Sequence, residues 1–180
     1  MRFCRIACKT TLSVGILATE EINRVQALMK LFTALTLDLE DEAKAASLEK
    51  ELPLWVENLF LFSLIWSIAG VIDGPSRPKF DTFLGQVCEG KPPRGYEKCD
   101  GVFGEAQPWL KYLPTDASCY EYMFDQATHK WKLWTDTIAK EDTRIPNTAS
   151  FEEIIVPTLD TSRYTYLLDK LLMNNKPVLF

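Results

Sequence analysis

The sequence has little of what most small catalytic or metal sites are built from. His129 is the one histidine, so a Ser-His-Asp triad or a multi-histidine metal site would depend on that residue alone. It falls in a predicted hairpin turn, where histidines are usually solvated. No stretch has the form GxxxxGK[ST], GxSxG, HExxH or an EF-hand loop. We therefore expect no catalytic residue and no metal site in this chain.

Paired cysteines and basic runs are missing as well. An odd number of cysteines without a CxxC pair favours reduced thiols over a disulfide or zinc framework. A net charge of −5, spread along the chain without a basic run, argues against nucleic acid or an anionic membrane surface as partner. Residues 1–21 carry a short apolar stretch that Thr and Gly interrupt, so they are interpreted as structure and not as a signal peptide. The cysteines are Cys4, Cys8, Cys88, Cys99 and Cys119.

Apolar residues make up 47% of the sequence, and in the first third they recur with helical spacing. A helix is predicted from Glu20, with Thr19 as its N-cap. The acidic, alanine-rich stretch that follows predicts a polar helix or a connector, and Pro53 suits the first turn of the next helix. The predicted inward positions of the first helix are Ile22, Val25, Leu28, Phe32, Leu35 and Leu39.

One predicted helix is apolar on every side. Between Leu59 and Ile72 only two serines and a glycine interrupt the apolar run, and there is no charged residue. A membrane span needs about 20 such residues, and Glu57 and Asp73 border this shorter run. We therefore expect a buried core helix and no membrane association.

The second half of the sequence predicts shorter elements. Ser76 is a suitable cap for a helix with Phe80 and Phe83 on its inner face. A loop rich in proline and glycine runs from Glu89 to Gly104. The segments CYEYMFD and KWKLW then alternate as two strands of a hairpin, and we attribute their aromatic residues to cross-strand packing instead of a nucleic-acid platform.

The last 30 residues predict a strand, a helix and another strand. FEEIIVPT predicts a short strand, Asp160 or Thr161 suits the N-cap of a helix, and Asn174-Asn175 suits a left-handed stop before a strand at Lys176–Phe180. The fold class expected from these elements is mainly α with a β-hairpin, an α+β fold. The predicted inner face of the last helix is Tyr164, Leu167, Leu168, Leu171 and Leu172.

Two long motifs carry a resemblance to a known family. LFLFSLIWSIAGVIDGPSRPKFDTFL, at Leu59 to Leu84, and IIVPTLDTSRYTYLLDKLLMNNKPVLF, at Ile154 to Phe180, closely resemble the dynein heavy chain motor of the axonemal type. EINRVQALMKLF and YEYMFDQATHKWKLW fit the same region in the same order. The chain is thus similar to the stretch that joins the second AAA+ module of the dynein ring to the third.

The resemblance implies two parts. Residues 1–150 would be the helical lid of the second module, and residues 151–180 would begin the α/β large subdomain of the third, ending before its Walker A loop. The chain would then lack the lysine and the hydroxyl that nucleotide and magnesium need, and would be non-catalytic by itself. ATP or ADP with magnesium would belong to the parent motor.

Active AAA+ lids usually present an arginine to the γ-phosphate from their central helix, but residues 53–72 contain no Arg or Lys. This absence suits a module that holds nucleotide as a structural site without rapid hydrolysis. Arg77 and Arg163 are the nearest candidates for nucleotide contact, and for each a structural salt bridge is the favoured alternative.

The function implied is coupling of nucleotide state between adjacent AAA+ modules during microtubule-based movement. The implied partners are the neighbouring modules of the same heavy chain, with microtubules and dynein intermediate and light chains bound by the parent complex in a cilium or flagellum. The alternative is a small helical interaction module that uses Leu59–Ile72 to grip a partner helix. An open apolar groove along that helix would distinguish the alternative from a lid, in which the helix is buried.

Overall fold

A computed structural model describes residues 21–37, 51–88, 91, 113–138 and 158–178, and the fold is given for those residues. Most of them are helical, and one antiparallel hairpin is present, so the expected fold class is confirmed. The polar helix predicted after residue 39 and the strand predicted at 151–157 lie outside the described residues. In chain order the elements are α1 (Glu21–Thr36), α2 (Leu52–Leu64), a π-helical turn (Ile65–Ala69), a 3-10 turn (Gly74–Ser76), α3 (Arg77–Cys88), a second 3-10 turn (Cys119–Glu121), β1 (Tyr122–Asp125), β2 (Lys130–Leu133), α4 (Thr135–Ile138) and α5 (Leu159–Met173).

The central element is α2 with the π-helical turn that continues it. Pro53 lies in its first turn, as predicted, where the missing N–H leaves no hydrogen bond unmade. The segment Leu52–Ala69 is long and apolar enough to cross a membrane, but most of it is buried inside this fold. Leu64, Ile65 and Ala69 are fully buried. The prediction of a core helix is therefore confirmed.

Two apolar clusters, each containing residues of this helix, form the core. The first joins the end of α2 and the π-helical turn to the inner face of α3, and the second joins the start of α2 to α1, the hairpin and α5. Trp66 and Trp131 pack against both clusters. Burial of this apolar area is the main stabilising contribution to the fold.

Helix α1 packs through a face close to the predicted one. Leu28 and Leu35 are buried as expected, and Leu31 and Ala34 join them. Ile22 is 53% exposed, so its predicted inward position is wrong. The buried face is centred on Leu28, Leu31 and Leu35 because these are the positions that meet α2 and α5.

The predicted hairpin is present, with Tyr122 paired with Leu133 and Asp125 paired with Lys130. Buried Asn58 fastens it to α2, because its Oδ1 accepts the Trp131 indole N–H at 2.7 Å while its amide donates to Leu54 O. This satisfies a buried amide that would otherwise cost stability.

The hairpin turn contains the single histidine. His129 has a φ of 54°, and its Nδ1 lies 2.7 Å from Glu51 Oε2 at the start of α2. The turn histidine predicted from the sequence thus contacts a carboxylate, and its contact ties the hairpin to α2. At the start of the turn, burial acts to raise the pKa of Asp125, but hydrogen bonds from Lys132, the Ala127 N–H and Thr128 outweigh it and hold that pKa below its ordinary value.

Helix α5 differs from the sequence prediction at both its cap and its face. The N-cap is Thr158, and not Asp160 or Thr161, because the Thr158 hydroxyl accepts the Thr161 N–H while the Thr161 hydroxyl accepts the Thr158 N–H. Asn175 has a φ of 53° and ends the helix as predicted. Residues 176–178 of the predicted strand lie in no strand, because they pair with neither strand of the hairpin, the only strands in the described part of the chain. Leu179 and Phe180 lie outside that part.

The predicted inner face of α5 is displaced by about one residue. Leu167 and Leu171 pack against the core as predicted, together with Tyr166. Tyr164 is 55% exposed and Leu172 59% exposed, so both predicted inward positions are wrong. Leucine and tyrosine occur on more than one side of this helix, and periodicity alone cannot choose between adjacent stripes.

Candidate functional site

Arg163 lies at the junction between α5 and the 3-10 turn that precedes the hairpin. One Nη donates to Glu121 Oε2 at 2.9 Å and the other donates to Asp160 Oδ1 at 3.0 Å. The arginine side chain is 9% exposed, whereas the carboxylate side chains are 40% and 69% exposed. A buried guanidinium held at both ends is a fixed anchor, and the pair with Glu121 spans elements 42 residues apart in sequence.

Tyr166 continues the junction one turn further along α5. Its ring meets Phe62 at 5.9 Å and Trp134 at 5.7 Å between ring centroids, both edge to face. Burial raises the pKa of the Tyr166 hydroxyl to about 12, with a smaller contribution from the charge of Asp125. Edge-to-face contacts of this kind add to the area buried and fix the angle at which the helix packs.

The far end of α5 is fastened by polar contacts. Lys170 Nζ lies 3.5 Å from Gln126 Oε1, and the amide of Asn174 donates to Ala34 O at 3.3 Å. With Arg163 and Tyr166, these contacts follow the whole length of the helix. We call this the α5 junction, defined by Arg163, Tyr166, Lys170 and Asn174.

The second candidate, Arg77, lies at a corner between α2 and α3. Its guanidinium carbon lies 4.6 Å from the centroid of the Tyr120 ring, and its Nε is buried without a hydrogen-bond partner. Within the described part of the chain Arg77 makes no ion pair closer than the 4 Å that defines one. We call this the α3 corner, defined by Ala69, Gly70, Arg77, Asp81 and Tyr120.

Asp81, one turn after Arg77, holds the 3-10 turn that carries Tyr120. Its carboxylate accepts the Ser118 hydroxyl at 2.7 Å and the Cys119 N–H at 3.0 Å. Burial, followed by the hydrogen bond to Asp81, raises the pKa of the Cys119 thiol. The thiol is therefore a neutral core group and not a nucleophile.

The structure thus brings Arg163 together with two carboxylates and Arg77 together with an aromatic ring. Sequence reasoning missed the partners Glu121, Tyr120 and Tyr166, because each is far in sequence from the group it meets or lies in a run of similar residues. No local signal marks such a pair. Among the described residues there is also no group of three His, Cys, Asp or Glu side chains suited to a metal ion.

Comparison with known proteins shows the family to which the chain belongs. Residues 1–136 match the dynein heavy chain AAA lid domain, and residues 143–180 match the P-loop containing dynein motor region. The chain belongs to the dynein heavy chain family.

Individual dynein heavy chains are similar over most of the chain. Dynein axonemal heavy chain 3 of Mus musculus is 30% identical over 99% of this chain and 4% of its own length. Dynein axonemal heavy chain 2 of Homo sapiens is 31% identical over 88% of this chain and 3% of its own length. The dynein-1-alpha heavy chain of the flagellar inner arm I1 complex of Chlamydomonas reinhardtii is 30% identical over 71% of this chain and 3% of its own length. The chain therefore spans a few hundredths of the curated relatives that it matches.

In this dynein heavy chain segment the α5 junction connects the two family matches. Arg163, Tyr166 and Lys170 lie in the part that matches the P-loop motor region. Their partners Glu121, Phe62, Trp134 and Gln126 lie in the part that matches the AAA lid. The AAA-type motor character and the axonemal relationship expected from the sequence are confirmed by these matches.

Proposed function

We propose that this chain serves as a coupling segment of a dynein motor ring: residues 1–150 as the lid of the second AAA+ module and residues 151–180 as the beginning of the third. It passes nucleotide-dependent movement of the lid to the next module during microtubule-based movement in an axoneme. Its partners are the neighbouring modules of the same heavy chain. Microtubules and dynein intermediate and light chains are partners of the whole complex.

The α5 junction is the observation that carries this proposal. Its ion pair, ring contacts and polar contacts join the lid-like part to the next part along a 15-residue helix. A helix fastened at its start, middle and end moves with the body to which it is attached, so a displacement of the lid displaces α5. The burial of Leu59–Ile72 also favours the lid interpretation and not the alternative of an interaction module, because the described residues leave no open groove along that helix.

The two arginines differ in how well their guanidinium groups could contact the phosphates of a nucleotide. Both Nη groups of Arg163 are engaged by carboxylates and the side chain is only 9% exposed, which leaves it little access to a phosphate. Arg77 is only partly buried and has no carboxylate partner among the described residues, so it suits an anionic ligand better. We therefore assign the structural bridge to Arg163 and retain Arg77 as the candidate that faces ATP or ADP in the parent motor, where magnesium would be held by other residues.

The coupling role can be tested in a dynein motor region that includes this segment. Arg163→Met removes the anchor, and we expect microtubule stimulation of ATP hydrolysis to fall severalfold while the basal rate stays within about twofold. Asp160→Asn is the matched control, because it removes the more exposed carboxylate and keeps the bridge to Glu121. Unchanged stimulation in the Arg163 variant, with α5 shown to be detached by hydrogen exchange, would refute the coupling role.

The expectation that the 180-residue chain is non-catalytic by itself has a direct test. No GxxxxGK[ST] stretch is present to cradle phosphates, so titration calorimetry with Mg-ATP should show no micromolar binding and a phosphate-release assay no turnover. Micromolar binding with turnover by the chain alone would overturn this part of the proposal. Residues outside the chain have no influence on that result.

A further inference from the structure

The end of α2 departs from regular helix geometry at the α3 corner. Residues Ile65–Ala69 form a π-helical turn, and the Ile72 N–H then bonds Ala69 O at 3.1 Å, which is the spacing of a 3-10 turn. The helix is therefore wider than a regular α-helix up to Ala69 and narrower than one after it. Ala69 O accepts a second hydrogen bond, from the Tyr120 hydroxyl at 2.9 Å. Tyr120 thus bonds the carbonyl at which the helix changes from π-helical to 3-10 geometry.

Gly70 lies at a close approach of the backbone at this point. A Cβ at Gly70 would lie 2.6 Å from Trp66 O, which is closer than real Cβ atoms approach a backbone oxygen. The φ of Gly70 is −61°, so glycine is needed for space and not for a left-handed backbone. A side chain is therefore excluded next to the carbonyl that the Tyr120 hydroxyl bonds.

The Tyr120 ring connects the end of α2 to Arg77. At one end the ring is fixed by the hydrogen bond from its hydroxyl to Ala69 O. At the other end it is fixed by the hydrogen bond from the Cys119 N–H to the Asp81 carboxylate. The Arg77 guanidinium lies over its face at 4.6 Å, and Arg77 and Asp81 are one turn apart on α3. Burial raises the pKa of Tyr120, so the ring stays neutral and presents the electron-rich face that attracts a cation.

We propose that Tyr120 is the positioning residue for Arg77, holding its guanidinium at a place set by the π-helical end of α2 so that it can meet an anionic phosphate ligand. This inference rests on the proposed function, in which Arg77 faces nucleotide. Arg77 has a long side chain with many rotamers, and a cation that must meet a phosphate gains from being held in one of them. Tyr120 itself touches no ligand.

The first test uses the 180-residue chain and nuclear magnetic resonance. Protons of Arg77 over the Tyr120 face should have upfield-shifted resonances because of the ring current. Tyr120→Leu should abolish the shift, and Tyr120→Phe, which keeps the ring but frees it from Ala69 O, should reduce it. Tyr122→Phe, a second buried tyrosine in β1, is the control and should leave the Arg77 resonances unchanged. Arg77 resonances that do not respond to Tyr120→Leu would overturn the inference.

The second test measures nucleotide affinity of a dynein motor region that includes this segment. Arg77→Met should weaken affinity, and Tyr120→Phe should weaken it about three- to tenfold, as expected when one hydrogen bond that orients a cation is lost. Tyr120→Phe in an Arg77→Met background should cause no further loss. An equal loss in both backgrounds would show that Tyr120 has only a structural role, and no loss in either would also overturn the positioning role.

The two proposals fail in different ways. If Arg77→Met leaves nucleotide affinity unchanged, the nucleotide contact assigned to Arg77 is wrong and Tyr120 positions nothing for nucleotide. If Arg77→Met weakens affinity but Tyr120→Phe does not, the nucleotide contact stands and the positioning role is wrong. Urea unfolding of each variant shows whether it is folded, and Arg77→Lys, which keeps the charge but loses the planar stack, replaces Tyr120→Phe if that variant unfolds.

Discussion

The α5 junction and the α3 corner each contain one arginine, and the two arginines are held in opposite ways. Arg163 is buried and bonded to carboxylates at both Nη groups. Arg77 is partly buried and rests on an aromatic ring, with no carboxylate partner in the part of the chain that the structure describes. A doubly paired guanidinium has its charge neutralised and its geometry fixed, whereas a stacked one keeps its charge for a further partner. The same residue type can therefore serve as an anchor or as an available cation.

The regions also differ in what fixes them. Large aromatic rings around Phe62 hold the α5 junction, and close backbone approach at Gly70 holds the α3 corner. Loss of aromatic area costs stability in proportion to the cavity created, whereas an added atom in a tight corner costs it through displacement. Substitutions in the two regions should therefore give distinguishable patterns of damage.

The largest effect should come from breaking the aromatic side of the α5 junction. Phe62 is 1% exposed and meets four rings, Trp66, Trp131, Trp134 and Tyr166. Phe62→Ala should lower the free energy of unfolding by about 3 to 5 kcal/mol, measured by urea denaturation. Tyr164→Ala, on the exposed side of α5, should change it by less than about 0.5 kcal/mol. Similar losses in both variants would show that the packing described for Phe62 is wrong.

The next effect should come from the α3 corner. Gly70→Ala adds a methyl group 2.6 Å from Trp66 O and should lower the free energy of unfolding by about 1 to 3 kcal/mol. Gly85→Ala is the matched control in α3, where an added Cβ would meet no other described group within 4 Å beyond its own helix backbone, and it should be neutral or stabilise by up to about 1 kcal/mol. Thermal unfolding of both variants checks the sign as well as the size. A Gly70 variant as stable as the Gly85 variant would contradict the close approach.

A direct comparison of the two arginines should give a smaller difference. Arg163→Met should lower the free energy of unfolding by about 1 to 2 kcal/mol, since a buried donor to two carboxylates is lost while those carboxylates can still reach solvent. Arg77→Met should lower it by less than about 1 kcal/mol, because one partly solvated cation–π contact is lost. Urea denaturation measures both. A larger loss at Arg77 than at Arg163 would reverse the assignment of anchor and available cation.

The smallest effect concerns pH and is tested at Tyr166 in the α5 junction. Because burial raises the pKa of Tyr166 to about 12, the folded chain keeps a proton that the unfolded chain releases near pH 10. Stability from this group is complete below about pH 10 and is lost as the pH rises toward 12. Tyr166→Phe should remove about 1 kcal/mol of the decline in unfolding free energy between pH 8 and pH 11. An identical decline in both proteins would show that Tyr166 is not protected by burial.

Much of the fold could be predicted from local pattern. Apolar density between Leu59 and Ile72 predicted the core helix, Pro53 its first turn, alternating aromatics the hairpin, and Asn175 the left-handed end of α5. These features depend on a residue's own conformational preference or on repetition over several turns. The long motifs also predicted the family.

The candidate site could be predicted only as two isolated arginines. Nothing local to Arg163 shows that Glu121 will approach it, and nothing local to Arg77 indicates Tyr120. The inner face of α5 was placed one residue away for the same reason, since Tyr164 and Tyr166 are equally good aromatic residues until a neighbour selects one. The role of either arginine in nucleotide contact stays a prediction.

The sequence by itself determined the buried core helix, the hairpin and the family to which the chain belongs, because those properties follow from spacing, turn chemistry and long motifs. Only the tertiary structure decided which arginine is anchored and which is available. Ion pairs, ring stacks and steric limits depend on distances between groups that are far apart in sequence, such as the 42 residues between Glu121 and Arg163. Those distances are fixed only when the helices pack.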